Sequence, residues 1–91
     1  MPYIKSERRP VLDTHINALV RCIRDIGELN YCITRLALRF LTYVGLNYAN
    51  LAGVVGTLHL ISTEMERRVI NPYEDKKIAE NGDVPEYRDG V

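Results

Sequence analysis

The sequence lacks an excess of charge of either sign. Its 91 residues hold 12 basic and 12 acidic side chains, so the formal net charge at pH 7 is zero. A module that binds nucleic acid through its phosphates is normally strongly cationic, and this balance argues against one. Apolar residues make up 46% of the chain, which is too many for a disordered protein. We expect one globular domain, because the length suits one domain rather than two.

Cysteine and long apolar runs are also scarce. The two cysteines, Cys22 and Cys32, form no CxxC motif, and the first ten residues are polar and contain no signal-peptide core. The stretch 29–63 has no lysine or carboxylate, yet it carries Arg35 and Arg39 among many polar groups, so we expect no membrane span. These features favour a cytoplasmic protein in a reducing compartment.

Apolar residues recur at helical spacing in three long segments, and no stretch alternates as a strand would. The spacing predicts helices over 10–26 and 28–44, which Gly27 and Gly45 would end. A third helix would follow the connection 45–48 and extend to Met65 or Ile70. It contains Gly53 and Gly56, for which we expect the close approach of another helix as compensation.

The string Asn71-Pro72-Tyr73-Glu74 is typical of a helix start, with Asn71 as the cap and Pro72 in the first turn. It predicts a short fourth helix over 72–80 that stops near Asn81-Gly82. We therefore predict an all-α fold, a small bundle of three long helices and one short one. Its parts would be an N-terminal arm (1–9), a single helical domain (10–82) and a flexible acidic tail (83–91).

The helix over 28–44 carries more apolar surface than one side of a helix can hold. Tyr31, Leu38 and Tyr43 lie outside its main apolar stripe. Three helices of one short chain could hardly cover all of it. We expect a homo-oligomer with this helix, or the glycine side of the third helix, at the interface.

Several strings together resemble a family of small uncharacterised, all-helical proteins of bacteria and their phages. They are GELNY at 27–31, ITRL at 33–36 and PYEDKKIAENGDV at 72–84, supported by PYI at 2–4 and RR at 67–68. The sequence departs from the family at its end, where GDV continues as PEYRDGV. The resemblance implies common descent, and it brings no function with it.

The charges are unevenly distributed although they sum to zero. Residues 1–61 hold seven basic and four acidic groups, a balance of +3, and residues 62–91 hold five and eight, a balance of −3. Within the carboxylate-free stretch, four residues follow one another at intervals of four and share one side of the second helix: Tyr31, Arg35, Arg39 and Tyr43.

Two interpretations of this stripe stay open. The arginines could pair with Glu64, Glu66, Glu74 or Asp75 of the same chain or of another subunit. Alternatively, they could bind an anion, because guanidinium groups match phosphates bidentately and tyrosine rings stack on bases. Arg67 and Arg68 either complement the helix dipole or join Tyr73 in a second binding patch. With zero net charge, a small phosphorylated ligand is favoured over bulk nucleic acid.

Nothing in the spacing indicates a metal site, a cofactor or a catalytic group. The histidines and cysteines match no zinc motif. The leading hypothesis is a non-enzymatic, oligomeric binding protein for a small anionic ligand such as a signalling nucleotide, used by a phage to sequester it. The alternatives are an adaptor for an acidic protein partner and a nucleotide pyrophosphohydrolase of the MazG type. The latter would need ExxE or ExxD carboxylates inside a long helix, whereas Asp25 and Glu28 straddle Gly27.

Overall fold

A computed structural model describes residues 4–90, and in this part of the chain every regular element is helical. The predicted all-α class is therefore confirmed. A 3-10 turn at Ser6–Arg8 leads into α1 (Arg9–Val20), and the other helices are α2 (Ile26–Val44), α3 (Tyr48–Met65), α4 (Asn71–Asn81) and α5 (Pro85–Asp89), with a π-helical turn at Glu66–Ile70 between α3 and α4. Residues 1–3 of the predicted arm and Val91 of the predicted tail lie outside the described residues.

The chain divides into two units, Met1–Tyr43 and Val44–Val91. The first contains α1 and nearly all of α2, and the second contains α3, the π turn, α4 and α5. No charged residue lies between 44 and 61, so the division by charge coincides with the division into units: +3 in the first and −3 in the second.

The first helix ends earlier than its apolar spacing predicts. α1 stops at Val20, where the backbone N–H groups of Cys22 and Ile23 donate to the carbonyls of Leu19 and Val20 at 2.9 and 3.3 Å. The predicted end near Ile26 is wrong because Asp25 begins the next helix: its Oδ1 accepts the Glu28 N–H at 2.8 Å. Gly27 therefore lies in the first turn of α2 and does not end α1.

The end of α2 is as predicted. Gly45 has φ 113°, a left-handed conformation that favours glycine, and it follows the last helical residue, Val44. Asn47 then caps α3 by accepting the backbone N–H of Asn50 at 2.9 Å. The side chain of Asn50 donates to the Gly45 carbonyl at 2.8 Å, which fixes the connection between α2 and α3.

The predicted break before the fourth helix is absent. Asn71 has helical angles (φ −62°, ψ −47°) and its backbone N–H donates to Glu66 O, five residues back, so it does not cap α4. Pro72 has no N–H and its ring crowds the carbonyl four residues earlier, and a π turn just before it accommodates both defects. The helix end at Asn81 is confirmed, with Gly82 following at φ 83°.

Few side chains are buried. Among the described hydrophobic residues, Leu41 in α2 is the buried one, with 5% of its surface exposed. Among the described residues, the predicted close approach at Gly53 and Gly56 is not seen, because apart from the adjacent residues and the helix's own nearby backbone no heavy atom lies within 4 Å of a Cβ built at either position. Residues 85–89 of the predicted tail form the short, exposed helix α5.

Candidate functional site

Tyr31, Arg35 and Arg39 lie on successive turns of α2, as their spacing predicts. The guanidinium carbon of Arg35 lies 6.0 Å from the centroid of the Tyr31 ring, the outer limit of a cation–π contact. This contact orients Arg35 along the helix surface. The stripe is therefore a partly ordered basic face.

These three residues line a pocket of about 350 Å³. The remaining lining residues are Cys32 and Leu36 of α2 and Leu19 of α1. The volume lies within the range of small-molecule sites, roughly 300–1,000 Å³. The pocket is lined by two arginines, a tyrosine, a cysteine and two leucines, and most of its lining surface is apolar.

Tyr43, the fourth residue of the predicted stripe, is not among the pocket's lining residues. It lies one residue before the end of α2 and is 89% exposed. The pocket therefore holds three of the four stripe residues.

Within the first unit, the two pocket arginines have no acidic partner: no Asp or Glu oxygen of its described residues lies within 4.0 Å of either guanidinium group. The four carboxylates considered as same-chain partners, Glu64, Glu66, Glu74 and Asp75, belong to the second unit.

Arg67 and Arg68 differ sharply from the pocket arginines. Both bind Glu64: Arg67 through Nε and Nη2 at 2.9 and 3.0 Å, and Arg68 through Nε at 2.9 Å. The hydrogen bond from Arg67 is the main reason that the pKa of Glu64 lies below its ordinary value of 4.5, and the two positive charges add to it. In this unit the arginines and the carboxylate form one exposed cluster on the helix surface.

Tyr73, the remaining predicted site residue, lies in α4 with Lys77 Nζ 5.6 Å from its ring centroid. Lys77 also pairs with Glu80 at 3.2 Å. Tyr73 thus belongs to a polar surface row of α4. Its ring and the Glu64 cluster are both in the second unit, whereas the pocket is in the first.

Asp25 and Glu28, the carboxylates considered for magnesium, cap the start of α2. Asp25 accepts from the Glu28 N–H, and Glu28 Oε1 accepts the backbone N–H of Arg24, each at 2.8 Å. Across residues 4–90, no group of three or more His, Cys, Asp and Glu is arranged to hold a metal ion. In the same range, no helix is both long and apolar enough to span a membrane.

Sequence reasoning missed three lining residues: Leu19, Cys32 and Leu36. Cys32 and Leu36 are four residues apart and precede Arg39 by seven and three, so helical spacing places both beside the arginine stripe. Leu19 comes from α1. Only the approach of α1 to α2 brings it there, and no pattern in the sequence signals it.

In the described residues the protein is all-helical, and its first unit has a pocket lined by two arginines, a tyrosine, a cysteine and two leucines. The chain belongs to the family described as domain of unknown function DUF6899, which matches residues 1–84. The matched range covers every element from the 3-10 turn to the end of α4 and leaves out α5. No curated protein and no solved structure matches the chain.

Proposed function

We propose that this protein binds a small anionic ligand, a phosphorylated nucleoside, in the pocket of α1 and α2, without catalysing its conversion. One observation carries the proposal: Arg35 and Arg39 line a pocket of about 350 Å³ and have no carboxylate partner among the described residues of their own unit. Guanidinium groups that are not neutralised by the protein attract phosphate and bind it through paired hydrogen bonds.

The apolar side of the pocket suggests what the phosphate carries. Leu19 and Leu36 contribute aliphatic side chains to the lining, and Tyr31 contributes an aromatic one, a residue type on which bases stack. A base and a sugar fit this combination better than inorganic phosphate alone. The volume is near the lower end for ligand sites, which favours a mononucleotide over a dinucleotide.

The wider proposal is a cytoplasmic homo-oligomer that sequesters a signalling nucleotide, a role that suits a phage protein. A protein that only captures its ligand needs affinity, which two arginines and a tyrosine in one pocket can supply. The exposed apolar residues of α2 support the oligomer, because so much apolar surface is uncommon on a monomer.

Isothermal titration calorimetry tests the binding. The probes are AMP, GMP, ATP and inorganic phosphate, titrated into the full chain at low salt. We expect at least one nucleotide to bind with micromolar affinity and phosphate to bind more weakly. The variant Arg35→Ala/Arg39→Ala should lose binding at least tenfold. The control Lys5→Ala/Arg8→Ala removes the same charge outside the pocket and should bind as the wild type does. Equal loss in both variants, or no binding by any probe, contradicts the proposal.

An adaptor role is the second candidate, and the exposure of Tyr43 beyond the pocket favours it. The row Tyr31, Arg35, Arg39 and Tyr43 could receive an acidic peptide along α2. This role predicts an effect of Tyr43→Ala on a protein complex and no nucleotide affinity. A pyrophosphohydrolase of the MazG type is the third, and magnesium-dependent turnover of a nucleoside triphosphate would demonstrate it.

A further inference from the structure

Six residues of α2 follow the spacing of a coiled-coil seam. Their positions along the helix are separated by three, four, three, four and three residues, and we call them the α2 seam: Ile26, Leu29, Ile33, Leu36, Phe40 and Tyr43. In heptad notation they occupy the a and d positions throughout. A repeat of this kind is typical of a helix that packs along another helix, with side chains inserted between those of its partner.

The structure leaves the α2 seam exposed. Leu36 is 60% and Phe40 54% exposed, and the other four residues are also on the exposed side of the surface. At such exposure each of these side chains presents on the order of 100 Å² of solvent-accessible surface. Two copies facing each other would therefore cover about 1,200 Å², the lower limit for a specific protein interface. A second copy of this chain is thus sufficient to cover the seam.

The α2 seam of one copy is complementary to the α2 seam of a second copy when the two helices run antiparallel. When two α2 helices run in opposite directions, Ile26 lies opposite Tyr43, Leu29 opposite Phe40 and Ile33 opposite Leu36, so that every member finds a partner. The charges agree with this direction. The one acidic residue of α2, Glu28, is in its first turn and Arg39 is in its second half, so the antiparallel direction brings Glu28 toward Arg39 of the other copy, whereas a parallel pair would set Arg39 level with its own copy.

The seam and the pocket share Leu36, and the pocket residues Cys32 and Arg39 directly flank the seam at g positions. In an antiparallel pair, g positions face g positions of the other helix. We propose that two copies pair through antiparallel α2 seams, and that Arg39 of the second copy reaches the pocket beside Cys32 as a third guanidinium group. The part concerning the pocket rests on the proposed anion binding.

Light scattering during size-exclusion chromatography tests the seam without any ligand. We expect the wild type to have twice the mass of one chain at micromolar concentration. The variant Ile33→Gln/Phe40→Gln removes two seam residues outside the pocket and should be a monomer with unchanged helix content. The control Ile16→Gln/Leu38→Gln removes two exposed apolar residues off the seam and should stay a dimer. A monomeric wild type, a larger assembly, or equal dissociation of both variants overturns the pairing.

Disulfide trapping tests the direction. In a Cys22→Ser background, Arg39→Cys with native Cys32 should form a covalent dimer on oxidation. The two thiols of one chain cannot join, because seven residues of helix separate their Cα atoms by about 10 Å. Leu38→Cys in the same background is the control and should not form the dimer. Tyr43→Cys in a chain without native cysteines would cross-link in a parallel pair only, and that result overturns the antiparallel assignment.

Binding and pairing fail separately in these experiments. If no nucleotide binds but the dimer mass and the cross-links are as expected, the proposed anion binding is contradicted and the pairing through the α2 seam is supported. If a nucleotide binds to the monomeric variant Ile33→Gln/Phe40→Gln as tightly as to the wild type, the contribution of the second Arg39 is overturned. We expect its affinity to fall about tenfold, the loss of one charged hydrogen-bonding group.

Discussion

Arg35 holds its guanidinium carbon 6.0 Å from the centroid of the Tyr31 ring, one turn earlier on α2. Both residues line the same pocket. A guanidinium group placed over a ring keeps its N–H edge available for hydrogen bonds in its own plane. The contact is therefore compatible with the anion binding proposed for Arg35.

Two substitutions of Tyr31 distinguish the contribution of its aromatic ring to binding from that of its hydroxyl group. Tyr31→Phe keeps the aromatic face, and we expect nucleotide affinity close to that of the wild type. Tyr31→Leu removes the face, and the affinity should fall about two- to fivefold, because an exposed cation–π contact is worth roughly 0.5–1 kcal/mol. Calorimetry with the best nucleotide probe measures both. A larger loss in Tyr31→Phe than in Tyr31→Leu would assign the effect to the hydroxyl group instead.

Two glycines of the second unit should respond in opposite directions to alanine. Gly45 has φ 113°, so Gly45→Ala strains the backbone and should lower the free energy of unfolding by about 1–2 kcal/mol. Gly53 is inside α3 with open space at its Cβ position, so Gly53→Ala should raise it by up to about 1 kcal/mol. Urea unfolding followed by circular dichroism measures both changes. Destabilisation by Gly53→Ala would indicate that another chain packs against this glycine.

The Glu64 cluster makes helix stability depend on pH. The folded-state pKa of Glu64 is lowered, chiefly by the hydrogen bond from Arg67, so the carboxylate stabilises the helix above its ordinary pKa of 4.5. The stabilisation is lost as pH falls through the lowered pKa. Glu64→Gln should therefore melt at a lower temperature than the wild type at pH 7, with a difference that shrinks toward pH 3. Glu74→Gln, whose carboxylate has no ion pair within the described residues, should show no such convergence.

Pro72 is the expected cause of the π turn. Pro72→Ala restores a backbone donor, and we expect the free energy of unfolding to rise by about 1–3 kcal/mol. Pro85 is in the first turn of α5, where a missing N–H costs little, so Pro85→Ala should change it by less than about 0.5 kcal/mol. Chemical denaturation followed by circular dichroism compares the two. A less stable Pro72→Ala would mean that the π turn has another cause.

The predictable parts of the fold depend on local rules that nothing else overrides. Gly45 ends α2 because its conformation suits glycine, and the spacing of Arg35 and Arg39 places them on one face whatever surrounds the helix. Gly27 was misleading because a stronger local signal, the Asp25 cap, begins α2 two residues earlier. The fourth helix begins within one residue of its predicted start, but the cap predicted at Asn71 is wrong, because Asn71 is already helical and a π turn precedes the proline.

Only part of the pocket could be predicted from the sequence. Its α2 side follows from helical spacing, whereas Leu19 enters it through the approach of α1. Burial was the least predictable quantity, because helical spacing shows which apolar residues share a face but not what covers that face, and most residues of these stripes are exposed in the described chain.

The π turn at Glu66–Ile70 has one further consequence, for the evolution of the family. A π turn contains one residue more than an α turn needs and takes it up in a wider turn of the chain. Deletion of a single residue here would leave a continuous α-helix with Tyr73 and Lys77 on nearly the same side of its axis. The same deletion inside the regular part of α3 would instead turn the polar row of α4 by about 100°, so the π turn is the place in this helix where the chain can change in length by one residue and keep that row in position.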